Sequence, residues 1–120
     1  MPDIHERRLL QRTNLALYLK VLDSRNNTSL GNIIDINVCG FLLLTKLTMQ
    51  EEAQYRVKIE LPENFGSDHF IECSAVVRRA AKSINPSFNE VGLEISTITP
   101  EARELVEQLE QQLLLKFSPN

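Results

Sequence analysis

Residues 15–36, LALYLKVLDSRNNTSLGNIIDI, carry the clearest structural signal in the chain. Their first part alternates with a period of two, which is the period of a β-strand, and one side of it is formed by Leu15, Leu17, Leu19 and Val21. The segment Asp23–Ser29 favours a turn because Asp, Asn and Ser side chains bond to their own neighbouring backbone. The apolar run Leu30–Ile36 follows it. Together these residues predict an antiparallel hairpin.

Four further segments have strand character. The apolar run FLLLTK occupies residues 41–46, and Tyr55–Leu61 alternates apolar with charged residues until Pro62, which cannot donate to a strand ladder. Phe70–Ala80 and Glu90–Thr97 are separated by the turn-rich SINPSFN. Six strands with short connections predict a small antiparallel barrel or a sandwich.

The C-terminal residues have a different period. Thr99 is suited to cap a helix, with Pro100 at the first helical position and Glu101 in the first turn. Apolar residues then recur at helical spacing at Ala102, Leu105, Val106, Leu109 and Leu113. The pattern predicts one amphipathic helix that ends the fold.

Length and charge limit the possible functions. With 120 residues the chain suffices for a single domain with one core. A formal net charge of -3 and the absence of Trp argue against a general nucleic-acid-binding surface. The N-terminus shows no apolar run typical of a signal peptide, and no segment has the roughly 18 apolar residues of a membrane helix. We therefore expect a cytoplasmic protein without membrane insertion.

The two cysteines, Cys39 and Cys73, are far apart and lie in apolar, strand-like surroundings. Neither has the spacing to another Cys or to His5 or His69 that a metal site requires. We expect both to be buried, reduced thiols, with a metal site or a disulfide as remote alternatives.

The segment ERRLLQR, residues 6–12, places Arg7, Arg8 and Arg12 before the first strand. A guanidinium can bind phosphate in a bidentate manner, pair with the O6 and N7 edge of guanine and stack on flat rings. Arg8 and Arg12, which are four residues apart, therefore suit a ligand that contains phosphates and purines. The alternative is that they are solvated charges at a chain terminus.

A second motif is DINVCG, residues 35–40, at the end of the second predicted strand. Asp35 and Asn37 are two residues apart, so in an extended strand their side chains point to the same face. Gly40 allows a turn or the close approach of a ligand. A hairpin turn with polar residues at its mouth is the alternative interpretation.

Taken together, RLLQR and DINVCG resemble the two motifs of the PilZ domain, RxxxR and [D/N]xSxxG. GNIIDIN before the second motif, the apolar run after Gly40 and VGLEI at residues 91–95 also resemble that family. The resemblance implies a mainly β fold, a six-stranded antiparallel barrel of Greek-key type with a C-terminal amphipathic helix. It divides the chain into a mobile arginine clasp at residues 1–13, the barrel at 14–98 and the helix at 99–117.

The resemblance also implies a ligand, cyclic di-GMP, and no other cofactor or metal. Arg7, Arg8 and Arg12 are similar to the arginines that close on the ligand, while Asp35, Asn37 and Gly40 correspond to the barrel patch on which it rests. Asn37 replaces the serine of the family pattern; its amide keeps a hydrogen-bond donor but is longer. Arg78, with Arg79 beside it, is a candidate for additional positive charge near the site, or else an ordinary surface residue.

The expected function follows from this resemblance. We find no pattern typical of a catalytic triad, a phosphate-binding glycine loop or a metal site, so we expect no enzymatic activity. We expect a cyclic di-GMP receptor that changes conformation and signals through an unidentified protein effector. A PilZ-like scaffold that binds proteins but no nucleotide is the main alternative. A barrel that binds single-stranded nucleic acid would need a basic groove with aromatic platforms, which the composition disfavours.

Overall fold

The structure is a computed structural model that describes residues 19–62 and 69–116. Residues 15–18 of the first predicted strand and the N-terminal arginines lie outside this part of the chain. The elements are β1 (Leu19–Asp23), β2 (Ser29–Asn37), β3 (Gly40–Thr45), β4 (Gln54–Glu60), β5 (Phe70–Lys82), β6 (Asn89–Thr97) and α1 (Pro100–Lys116).

The six strands form a closed antiparallel barrel in the order β1-β2-β3-β6-β5-β4, with β4 pairing back onto β1. The predicted barrel is therefore confirmed, and the sandwich alternative is wrong. The predicted β1–β2 hairpin is also confirmed, since Leu19 lies opposite Ile33 in antiparallel register. Its turn is closed by a hydrogen bond from the Asp23 amide to the Thr28 carbonyl at 2.8 Å.

Alternating side chains fill the barrel interior. In β4, for example, Val57 and Ile59 are fully buried, whereas Arg56 is exposed. The buried core also includes Val21, Ile33, Leu43, Ile71, Val77 and Val91. Burying each such side chain stabilises the fold by roughly 1.5–3 kcal/mol relative to its exposure. Because side chains fill the interior, a binding site can form only on the outer face of the barrel.

The helix α1 completes the core. It begins as predicted, because the Thr99 hydroxyl accepts a hydrogen bond from the Ala102 amide at 3.1 Å. Ala102, Val106 and Leu109 belong to the same buried cluster as the barrel residues, and the helix contacts β2 and β5. The side chain of Leu113 lies outside the described part of the chain. Within residues 19–62 and 69–116, no helix is long and apolar enough to cross a bilayer.

Candidate functional site

The second motif, DINVCG, forms the end of β2, the following turn and the start of β3. Ile36 points into the core and is 3% exposed, so its neighbours Asp35 and Asn37 both lie on the outer face of the barrel. Asn37 pairs with Gly40, and a β-bulge between Ile33 and Asp35 shifts the register just before the motif. The shared face expected from the two-residue spacing is thus present.

Asn37 holds the turn closed with its own side chain. Its Oδ1 accepts hydrogen bonds from the amides of Cys39, at 2.7 Å, and Gly40, at 3.2 Å. A short polar side chain that bonds the backbone two residues ahead is typical of such turns. The carbonyl of Cys39 in turn accepts a hydrogen bond from the Ile95 amide at 2.8 Å, which ties the turn to β6. Among the described residues, the Asn37 Nδ2 has no partner, so it remains as a donor.

Gly40 is required by the close approach of two strands. A Cβ at this position would lie 2.2 Å from the backbone oxygen of Leu93 and 3.2 Å from the Cα of Glu94. Both contacts are with the backbone of β6, which cannot move aside as a side chain could. Gly40 therefore sets the distance between β3 and β6 beside the motif.

The prediction for the cysteines is correct for one and wrong for the other. Cys73 is fully buried in the core, and its burial raises the pKa of the thiol to about 11. Cys39 is instead exposed, because it lies in the turn between β2 and β3 rather than in a strand. Its apolar neighbour Val38 lies in the same turn and packs against the core, whereas Ile36 and Phe41 belong to the strands on either side.

Arg78 and Arg79 lie next to the motif because β5 is irregular there. A β-bulge between Val77 and Arg79 interrupts the strict alternation, and both arginines are exposed while Val77 is buried. Arg79 lies opposite Gly92 of β6. The bulge therefore brings two adjacent cations to the same outer surface.

Arg78 is held by two carboxylates. Its Nε donates to Glu94 Oε1 at 2.7 Å, and its Nη1 donates to Glu52 Oε1 at 2.8 Å. These hydrogen bonds, first to Glu94 and then to Glu52, raise the pKa of the Arg78 guanidinium above its ordinary value. The side chains involved are about half exposed or more, so water screens the attraction.

These residues surround a shallow depression of about 430 Å³ on the outer face of the barrel. Its lining comes from the motif and from β3, β5 and β6, and it includes Asp35, Asn37, Cys39, Gly40, Arg78, Arg79 and Glu94. The structure thus brings together four of the predicted site residues, Asp35, Asn37, Gly40 and Arg78. The other three, Arg7, Arg8 and Arg12, lie outside the described residues.

The charges of the depression nearly cancel. Two cations, Arg78 and Arg79, face two carboxylates, Asp35 and Glu94, in its lining. Glu52, which is paired with Arg78, adds a further negative charge close to the depression. The described lining therefore offers no net attraction to an anion, and a strongly anionic ligand would need cations from elsewhere.

Glu52 and Glu94 were missed by the sequence analysis. Glu94 belongs to VGLEI, and its alternation with the buried Val91 and Leu93 could have placed it on the outer face. Glu52 has no such signal, because it lies outside a strand and meets Arg78, 26 positions away, only through the folded barrel.

Comparison with known proteins agrees with the fold. The family model for the PilZ domain matches residues 6–112. No curated protein sequence matches the chain. A solved structure, that of the Bacillus subtilis inhibitor of motility (MotI/DgrA), matches with a TM-score of 0.69 and 24% sequence identity over 85% of this chain. The chain spans 49% of the length of that structure, and at this identity the likeness shows the fold alone.

Proposed function

The chain belongs to the PilZ domain family, and from this we propose that it is a cyclic di-GMP receptor that signals through a protein partner. PilZ domains are typically receptors for this nucleotide and are generally non-catalytic. The observation that carries the proposal is the extent of the family match, residues 6–112, which includes both the arginine segment and DINVCG. The location of DINVCG at the edge of a depression supports it.

The proposed contacts follow from the chemistry of the lining. Cyclic di-GMP presents anionic phosphates, the acceptors O6 and N7 of guanine, and guanine N–H donors. In our proposal, the Asp35 carboxylate accepts from a guanine donor, and the Asn37 Nδ2 donates to the ligand. Gly40 keeps β3 and β6 close together beside these two residues. Arg78 contributes positive charge toward a phosphate.

Arg7, Arg8 and Arg12 have the largest part in this proposal. Because the charges of the described lining cancel, they would supply the net positive charge that a dianionic ligand requires. Their guanidinium groups can also stack on guanine rings and pair with guanine edges, so one short segment serves both parts of the nucleotide. We propose that ligand binding closes this segment over the depression and so changes the surface offered to a partner.

The partner is proposed to be a protein effector. One solved structure with the same fold is that of an inhibitor of motility, and we propose motility as the first output to test for this chain. The alternative, a PilZ scaffold that binds proteins without nucleotide, differs in one measurable respect. It requires no affinity for cyclic di-GMP.

Calorimetric titration with cyclic di-GMP tests the proposal, with GTP and linear pGpG as control ligands. The controls carry guanine and phosphate but lack the cyclic dinucleotide shape. We expect saturable binding of cyclic di-GMP and much weaker binding of both controls. If cyclic di-GMP does not bind, or binds no better than GTP, the receptor proposal is wrong and the scaffold alternative is favoured.

A further inference from the structure

We propose that Glu52 and Glu94 lower the affinity of the depression for anionic ligands by neutralising Arg78. This inference rests on the proposed function and adds two affinity-determining residues outside both motifs. Both carboxylates contact the guanidinium directly, at 2.8 and 2.7 Å. A phosphate that approaches Arg78 therefore meets a cation whose charge is already compensated twice.

The Glu94 carboxylate lies where it would repel a bound anion directly. Glu94 lines the depression and pairs with Gly40 in the β3–β6 ladder. A ligand that rests on Asn37 and Gly40 therefore comes close to this carboxylate. Like charges at such short range cost binding free energy, although solvent and salt reduce the cost at an exposed site.

Glu52 affects an anionic ligand indirectly, through its ion pair with Arg78. It lies in the connection that leads into β4, and its backbone has a φ of 73°, which residues other than glycine rarely adopt. Its amide donates to the Val77 carbonyl at 2.7 Å, and the Val77 amide donates to the Ala53 carbonyl at 2.9 Å. These bonds fix the connection beside Arg78, so the backbone itself positions the Glu52 carboxylate on the guanidinium.

The neighbour of Glu52 provides a matched control. Glu51 is also exposed and acidic and lies in the same connection, but it has no ion pair among the described residues. Glu51→Gln and Glu52→Gln thus make the same change in net charge in adjacent positions, and only the second removes a contact with Arg78. The difference in ligand affinity between the two variants separates the effect of that contact from the general effect of net charge.

The experiment is calorimetric titration of these variants with cyclic di-GMP at low salt. Exposed ion pairs are worth little, so we expect Glu52→Gln and Glu94→Gln each to tighten binding roughly two- to fivefold, and Glu51→Gln to tighten it less. The gain from Glu52→Gln should disappear in an Arg78→Gln background and shrink at high salt. Unchanged or weaker binding by Glu52→Gln and Glu94→Gln would overturn the inference, because the carboxylates would then be neutral or would support binding.

A second measurement separates this inference from the proposed function. Inorganic pyrophosphate is titrated into the wild type, Glu51→Gln and Glu52→Gln, while the Nε–H signal of Arg78 is followed by NMR. We expect a larger response in Glu52→Gln than in the other two proteins. If no protein binds cyclic di-GMP but this difference is seen, the receptor proposal fails and the inference stands. If the Arg78 signal responds equally in all three, the inference fails whatever cyclic di-GMP does.

Discussion

Asn37 is the residue at which the chain departs from the PilZ motif, and its side chain has a structural task. Its Oδ1 accepts two backbone amides and closes the β2–β3 turn. A serine hydroxyl can accept a backbone amide in a similar turn, although less strongly. The departure therefore preserves the turn while it changes the donor offered to a ligand.

We predict that Asn37→Ser leaves the affinity for cyclic di-GMP equal or improved, whereas Asn37→Ala destabilises the fold by about 1 kcal/mol because the turn loses its acceptor. Calorimetry and thermal unfolding check the two parts separately. Loss of binding in a folded Asn37→Ser protein would show that the longer amide makes a specific contact, contrary to our assignment.

The two thiols should differ strongly in reactivity. Cys39 is exposed, whereas Cys73 is fully buried with a pKa raised to about 11 by that burial, so at pH 8 very little of it is thiolate. We predict that a thiol reagent labels one cysteine rapidly in the native protein and the second only on unfolding. Cys39→Ser should remove the fast phase. A fast phase that persists in Cys39→Ser would mean that Cys73 is accessible.

At the scale of elements, α1 shows how a surface helix stabilises the barrel. Leu109 is 2% exposed and lies in the common core, whereas its neighbour Gln108 is exposed. We predict that Leu109→Ala lowers the free energy of unfolding by about 2–4 kcal/mol, because it removes apolar contacts and leaves a cavity. Gln108→Ala should change it by less than about 0.5 kcal/mol. Chemical denaturation measures both, and equal effects would contradict the helix register.

Most elements could be predicted from local patterns, and the exceptions have physical causes. Alternation and short apolar runs identified the strands, and Thr99 and Pro100 marked the start of α1, because those signals lie in neighbouring residues. The position of the bulge in β5 could not be predicted, since the apolar residues Ala75–Val77 are followed directly by two arginines and the sequence does not show which residue is the extra one. The burial of Cys39 was misjudged because the turn between β2 and β3 is only two residues long and the sequence around it is apolar.

At the scale of the whole molecule, the barrel brings together groups that are distant in sequence. The depression combines the β2–β3 turn with parts of β5 and β6, and Arg78 joins Glu52 and Glu94. The motif residues on this surface could be named from the sequence, since the family pattern marks them. The ion pairs of Arg78 could not, because they depend on the register between strands and on the path of the connection before β4.

The balance of charge on this surface indicates which residues an anionic ligand would require. The protein has a net charge of -3 and its described depression has no excess of cations, so we propose that Arg8 and Arg12 supply the positive charge that a dianionic ligand needs. Hydrogen bonds to charged groups are worth roughly 1.5–3 kcal/mol, so removing either arginine should weaken binding about ten- to a hundredfold.

The most direct test is calorimetric titration of wild type, Arg8→Ala and Arg12→Ala with cyclic di-GMP. Arg103→Ala is the matched control, because it removes the same charge from an exposed position on α1. We predict that wild type and Arg103→Ala bind with similar affinity, and that Arg8→Ala and Arg12→Ala each bind at least tenfold more weakly while remaining folded. Equal affinity in all four proteins would contradict the proposed clasp, because the arginine segment would then have no part in ligand binding.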